Sequence, residues 1–525
     1  MTENLRVKSS EFIDETVRVS FKFNGKEYYG FKGDTLASAL LANNVHLVGR
    51  SFKYHRPRGI MTAGSEEPNA IVQVNDNTDR TEPNVRATEL EIYEGLEASS
   101  QNCWPSVNFD IGGINNVISP FLPAGFYYKT FMWPASFWEK YEYFIRHSAG
   151  LGKSPKDKDP DIYDHRYIHC DVLVVGAGIS GILAAKNAAK NNLKTLLVDE
   201  KNELGGATIY QNREFNKIEN QSSSDWIKKE IQELKNIKNL EIKTRTSVAA
   251  YHGYNYLLAR ENLTDHLEKK DKQGKIRQRL LKIRAKKVIL ATGALERPLI
   301  FNNNDRPGIM LSSAVKKYAD FYGVVSGMKN VFFTNNDSAY ESVLCLHNKG
   351  IKVEAVIDIR EKSDSNIVKV VEKTGITIHW SHTIVDTKGY KKLNSISAMK
   401  LSNDGLSVTG NKIDISCDCL GVAGGWTPAV HLFTQSGGKL KFDENNKVFL
   451  PNKYPSDQLS IGSCNGDFNI NEIINNLSTN LKEFLKIDKT DFDNLSIESE
   501  EENSKRNIWL LPSDKPIGKT KPFVD

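Results

Sequence analysis

The sequence predicts an α/β protein carrying a separate α+β domain, and three observations carry that prediction. Asp171–Val175 is a short aliphatic run that opens directly onto Gly176, Gly178 and Gly181 in G-x-G-x-x-G spacing, and Ile182–Asn191 then places small and apolar residues at helical period. Lys194–Val198 repeats the strand pattern and ends in Asp199-Glu200, near the distance of about 20 residues at which a carboxylate grips a ribose hydroxyl. Before residue 100 the pattern is different: Val17–Phe31 alternates apolar and polar residues about an Asn24-Gly25 turn, and Thr35–Asn44 follows as an amphipathic helix. The first two features describe a Rossmann-type FAD/NAD(P)-binding unit, and the third a small ubiquitin-like or ferredoxin-like domain.

Composition bounds the function. With 525 residues the chain has room for several domains. Its 70 Lys and Arg against 65 Asp and Glu leave +5, spread along the chain, which points away from a nucleic-acid partner. No stretch approaches a membrane span, and the polar N-terminus lacks a secretory h-region, so the expected compartment is the cytoplasm. Cys103, Cys170, Cys345, Cys417, Cys419 and Cys464 form no C-x-x-C, and the eleven histidines show no ligand spacing. We expect buried structural thiols and no metal site.

Taken in order, residues 1–15 read as a leader and 16–99 as the ferredoxin-like domain, with further strands at Ala70–Val74 and Glu89–Tyr93. A plant-type cluster needs C-x4-C-x2-C in the loop after the helix. The corresponding Arg50–Asn69 has no cysteine, so the domain cannot hold a cluster there. The loop is instead basic (Arg50, Lys53, His55, Arg56, Arg58), either as a solvated face or as a docking surface for a cofactor phosphate or partner chain. Residues 100–165 are crowded with Trp, Phe, Tyr and Pro. They predict an extended connector with few regular elements, packed over its neighbours and including a subunit interface.

Residues 166–300 form the first part of the dinucleotide domain. Gly176 permits the tight turn, Gly178 lets a pyrophosphate approach the backbone, and Gly181 lets helix and strand pack closely, while the helix N-terminus offers free N–H groups. An acid at Asp199-Glu200 favours NAD or FAD over NADP. Leu204–Ala207 is a glycine loop on the adenosine side. Leu240–Val248 reads as a third parallel strand whose end, Ser247-Val248, lies near adenine. Gly253–Ala259 and Leu280–Arg284 read as an antiparallel excursion, and Lys286–Leu290 as a core strand ending in Ala291-Thr292-Gly293. Residues 301–410 read as an inserted second nucleotide-like domain. Its turn, Thr334–Tyr340, has no glycine and a carboxylate where a pyrophosphate would sit, so a dinucleotide is not expected there. In residues 411–489, Leu420–Val422 and Leu459–Ile461 read as strands returning to the first domain. Residues 490–525 read as a linker without a core.

These residues resemble the α subunit of heterotetrameric sarcosine oxidase. The likeness rests on GDTLASALLANNVHLVGRSFKYHRPRGIMTAGSEEPNA, PAGFYYKTFMWP, GAGISG…VDE, LATGALERPLIFNNNDRPGIM, FTNNDSAY and AGGWTPAVHLFTQSGGKL, and covers essentially 15–525. It implies a tightly bound NAD that is not the oxidant, held by this chain. It also implies amine oxidation on an FAD in a β subunit, and an FMN carried covalently by β at the α/β interface that passes electrons to oxygen. Sarcosine would be demethylated to glycine with oxygen reduced to peroxide, and the partners would be β, γ and δ subunits. This chain would contribute NAD binding, one wall of the FMN site and assembly, with no catalytic residue of its own.

Carried onto these positions, the resemblance gives Gly176, Gly178, Ser180 and Gly181 to the pyrophosphate. Asp199, Glu200 and Lys201 surround the adenosine ribose, Glu200 being the preferred acceptor. Gly206 and Ala207 lie beside the adenosine, Val248 at the adenine, and Ala423, Gly425 and Thr427 towards the nicotinamide. The family's α subunit also has a folate-binding half resembling the glycine-cleavage T protein. This sequence stops at Pro522–Asp525, where that half would begin, so folate is not assigned here. Proline or opine dehydrogenase α subunits are the nearest alternative, but their equivalent domain carries cysteines. A self-sufficient flavin dehydrogenase and a non-catalytic assembly scaffold are the other readings.

Overall fold

The computed structural model describes residues 5–7, 12–75, 79–122, 133–148, 150–210, 215–455, 457–499 and 505–523. Most of PAGFYYKTFMWP therefore lies outside the described residues, as do 1–4 and 8–11 of the expected leader.

In the first domain, Asn24 (φ 53°) and Gly25 (φ 76°) take the two left-handed positions of a tight hairpin turn. They join strand Asp14–Phe23 to Lys26–Lys32. The five-stranded sheet runs Lys26–Lys32, Asp14–Phe23, Leu96–Ser100, Ile71–Val74, Glu82–Arg86. Helix Leu36–Ala42 is wholly buried against it, entered through a capping box between Thr35 and Ser38. Glu89–Tyr93 does not form the expected strand. Its backbone is used at the helix entry, where Leu36 N–H donates to Leu90 O (2.7 Å) and Ile92 N–H to Asp34 O (3.0 Å). The sheet is completed by its neighbours on either side instead.

The aromatic connector departs from expectation in two ways. It contains an 11-residue helix, Trp138–Ser148, and several short helical turns. Its aromatics are not packed over neighbours: Trp104, Phe109, Phe121, Trp133 and Phe144 are 68–83% exposed.

The dinucleotide domain is a seven-stranded sheet. Leu240–Lys243, Thr195–Val198, Ile162–Val175, Ile276–Leu290 and Gln458–Ser460 run parallel, and Tyr256–Asn262 and Thr246–His252 continue antiparallel from Ile276–Leu290. The expected single strand Leu240–Val248 is two, because the chain turns at Arg245 (φ 50°) and changes partner. Leu280–Arg284 and Lys286–Leu290 are one 15-residue strand. Helix Ile470–Leu485 packs its apolar side (Ile470, Ile473, Ile474, Leu477, Leu481) onto the helix that follows the glycine turn.

The second domain is a five-stranded parallel sheet in the order Ile309–Leu311, Cys419–Ala423, Asn330–Thr334, Val353–Asp358, Thr377–Trp380. Cys419–Ala423 thus belongs to the second sheet and not, as the sequence suggests, to the first; only Gln458–Ser460 returns there. A three-stranded antiparallel meander spans His382–Ser416. The C-terminal segment is not a bare linker. Ile497–Glu498 pairs with Lys217–Ile218, Leu511 joins the second domain's core, and Phe523 covers Arg56 and Arg58. Among the described residues no helix is long and apolar enough to cross a membrane, and no three His, Cys, Asp or Glu side chains gather as a metal would require.

Candidate dinucleotide site

Strand Ile162–Val175 delivers the chain into a turn that only glycine can make. Gly176 has φ 98°, and a Cβ there would lie 2.3 Å from Ala291 O. A Cβ on Gly181 would lie 1.9 Å from Gly176 O, so the helix packs on the turn with no side chain between them. Gly178 has the opposite environment: a Cβ would meet nothing within 4 Å, so open space lies beyond it. Gly178 is also the N-cap of helix Ile179–Lys190 and supplies no side-chain cap. The first N–H groups of that helix therefore have no side-chain acceptor and suit an anion. Ser180 is buried. Its hydroxyl stands where a Cβ of Gly462 would be (2.3 Å), so the segment from the C-terminal strand closes directly onto the helix start. Gly205 bridges to Gly178, Gly206 packs on Gly178 Cα, and exposed Ala207 follows on the short helical turn Gly206–Tyr210.

The acidic edge divides its labour. Asp199 uses both oxygens on the backbone, Oδ2 accepting from Ala177 N–H (2.6 Å) and Oδ1 from Lys201 N–H (2.8 Å). This corrects its expected ribose role: Asp199 positions the turn. Burial raises its pKa, against the pull of those two N–H groups. Exposed Glu200 keeps its carboxylate at the edge, where Ser65 Oγ–H donates to Oε1 (2.9 Å). Lys201 is also exposed at this edge. Thr246 N–H donates to Asp199 O (2.7 Å), which brings half-buried Val248 to the same edge.

The three residues expected near the nicotinamide do not come together. Ala423 is fully buried in the second sheet, its carbonyl accepting from Asn335 N–H (3.3 Å). Gly425 (φ 84°) accepts from Arg297 N–H (2.7 Å) at the junction of the domains. Only Thr427 lies at the first site's margin, paired with Leu295 beside Ala291–Gly293. Ligands of such sheets bind outside the carboxyl ends of the strands. In the second domain that place holds the chain itself. Arg506 N–H donates to Asn335 O (3.0 Å), Arg506 Nη1 to Ile359 O (2.7 Å), and Trp509 Nε1 to Gly424 O (2.6 Å). Within the turn, Asp337 Oδ1 and Asp358 share buried Arg360.

The basic loop is mostly internal. Arg50, Arg56 and Arg58 are buried, and Arg56 and Arg58 converge on Asp305. His55 pairs with Asp110 at 2.7 Å. The loop folds around a carboxylate. Buried Glu67 accepts from Met61, Thr62, Asn69 and Ala70 N–H at 2.6–3.0 Å. Its pKa is nevertheless raised, because burial outweighs those four donors. An iron–sulfur cluster does not fit here: it needs four thiolates, Cys103 is the only cysteine before Cys170, and the loop interior is taken by Glu67.

Two titratable groups went unnoticed in the sequence. Lys317, on helix Ser312–Asp320, donates to Ala63 O (2.8 Å). Burial, then Lys201, pulls it down to about 7, against Glu66, Glu200 and Asp199. Glu296 accepts from Ser313 N–H (2.8 Å), and burial pushes it up to about 7. Neither has a sequence signature, since each depends on a loop from a different domain. Only its place just beyond Ala291-Thr292-Gly293 could have drawn attention to Glu296.

Residues 16–103 match the family described as 2Fe-2S iron-sulfur cluster binding domain, and residues 171–274 match FAD dependent oxidoreductase. The chain is 42% identical to the sarcosine oxidase α subunit of Rhizobium meliloti over 449 residues, 85% of this chain and 43% of the relative. It is 34% identical to that of Corynebacterium sp. strain P-1, over 87% of this chain and 42% of the relative. It thus spans less than half the length of the curated relatives it matches. The fold is that of L-proline dehydrogenase from P. horikoshii, with TM-score 0.61 and 18% identity over 95% of this chain and 81% of that one.

Proposed function

The chain matches the α subunits of sarcosine oxidases over most of its length, and on that premise we propose that it is the dinucleotide-holding subunit of a multi-subunit amine oxidase acting on sarcosine. Its ligand is NAD, its partners are the β, γ and δ subunits, and it works in the cytoplasm. The observation that carries the reading is the pairing of an open glycine turn at Gly178 with a Glu200 carboxylate left at the ribose edge. Gly176, Gly178, Ser180 and Gly181 cradle the pyrophosphate with backbone N–H groups. Glu200 accepts from the ribose hydroxyls, with Ser65 orienting its carboxylate. Lys201, Gly206, Ala207 and Val248 enclose the adenosine. Thr427 and Gly425 bound the other end of the crevice.

Oxidation of the amine and reduction of oxygen are chemistry that flavins supply, an FAD in β and an FMN at the interface. This chain's share is to bind, to exclude water and to assemble. Its exposed connector aromatics support the last role: a set of large apolar side chains without an internal partner suits a partner chain. A second reading is favoured by the FAD dependent oxidoreductase match at 171–274: FAD in the same crevice. Glu200→Ala tests the site. It should lower the fraction of purified chain carrying nucleotide, quantified by chromatography after denaturation, by about tenfold, with the circular dichroism spectrum unchanged. Unchanged occupancy would put the ribose contact elsewhere.

A further inference from the structure

A cavity of about 300 Å³ lies where the basic loop, the connector and the second domain meet, lined by Arg56, Asn116, Asp305, Arg306 and Tyr390 among others. Its electrostatics are one-sided. Asp305 is the only carboxylate among those lining residues. Its Oδ2 accepts from Arg56 Nε (2.6 Å) and from Arg58, and its Oδ1 accepts from Arg56 Nη2 (2.7 Å). Two further cations have no acidic partner among the described residues. Arg306 donates from Nε to Thr387 Oγ1 (2.9 Å) and from Nη1 to Gly389 O. Lys521, from the C-terminal segment, donates to Asn116 Oδ1 (3.0 Å) and Ser119 Oγ (3.4 Å). Both are lowered from their ordinary values by burial and then by Arg56. Nearby Asp386 is engaged by Lys515 (2.7 Å). The tail is held in place: Asn304 Nδ2 donates to Phe523 O and Phe523 N–H to Asn304 Oδ1, both at 2.7 Å.

Arg56, Arg58, Arg306 and Lys521 therefore share a single carboxylate. Half-buried cations without a counter-ion are costly unless an anion completes them. The excess suits a dianion with several acceptor oxygens, which guanidinium groups grip best. The volume lies at the lower end of small-molecule sites. Tyr390, with Arg50 against its ring at 5.6 Å, adds an aromatic wall for an organic body.

We propose that this cavity binds a phosphate monoester, its phosphate between Arg306 and Lys521 and its organic part against Tyr390. The site is separate from the dinucleotide crevice and does not depend on the function proposed above. The test is calorimetric titration of the full chain with phenyl phosphate and with inorganic phosphate at fixed ionic strength. Phenyl phosphate should bind saturably at one site and more tightly than inorganic phosphate. Lys521→Gln and Arg306→Gln should each weaken it about tenfold or more. Arg306 also ties down Thr387 and Gly389, so Lys521→Gln, which loses only contacts to Asn116 and Ser119, decides the matter if the arginine variant fails to fold. Three results would overturn the proposal: no saturable binding of phenyl phosphate, equal affinity in Lys521→Gln, or binding of inorganic phosphate alone.

Discussion

Single residues set the site by what they leave out. The Gly181 contact is the clearest case, since any side chain would stand 1.9 Å from Gly176 O. Gly181→Ala should cost about 1–3 kcal/mol in urea unfolding and abolish nucleotide retention; wild-type retention would mean that the turn and helix can separate. Glu296 carries a pH dependence. Its folded pKa of about 7 lies above the ordinary 4.5, so the folded state keeps a proton that the unfolded state has lost. Its contribution is therefore fully present below about 4.5 and is lost as pH rises to about 7, by roughly 3 kcal/mol at most. Glu296→Gln keeps an acceptor for Ser313 and should flatten the stability–pH curve across that window, with parallel curves contradicting the assignment. At this scale the glycines and Glu200 were legible, because turn geometry and ribose chemistry demand those residue types. Asp199's turn to the backbone, Ser65 and Lys317 were not, because their roles depend on which loop arrives beside them.

Elements were legible as elements but not always as neighbours. Asp171–Val175, Thr195–Val198 and Asn330–Thr334 announce themselves as buried strands. Cys419–Ala423 does too, yet an all-apolar run cannot say which of two parallel sheets it completes. Glu89–Tyr93 has strand composition but is used to tie down a helix entry. The loop 50–69 was read for its cations, whereas its organiser is the one buried acid, Glu67. Removing that carboxylate leaves four inward-facing N–H groups without their acceptor. Glu67→Ala should lower unfolding stability by about 2–4 kcal/mol and open the loop to proteolysis. An unchanged cleavage pattern would show that the surrounding contacts suffice.

For the whole molecule, the division into a cysteine-poor ferredoxin-like domain, a Rossmann-type domain and an inserted second unit followed from the order of motifs. Two large-scale features did not. The connector's aromatics suggested burial, and their exposure leaves a surface for another chain. The C-terminal segment looked featureless because Ile508, Trp509 and Leu511 are scattered among polar residues, yet it fills the second crevice and reaches Arg56 and Arg58. With the second crevice filled from within, one dinucleotide per chain is the expected load, and its identity separates an NAD-holding subunit from a flavin-bearing one. The most direct measurement is to purify the chain, denature it and identify the released nucleotide by mass. The account predicts NAD, about one per chain, without flavin; stoichiometric FAD would contradict it.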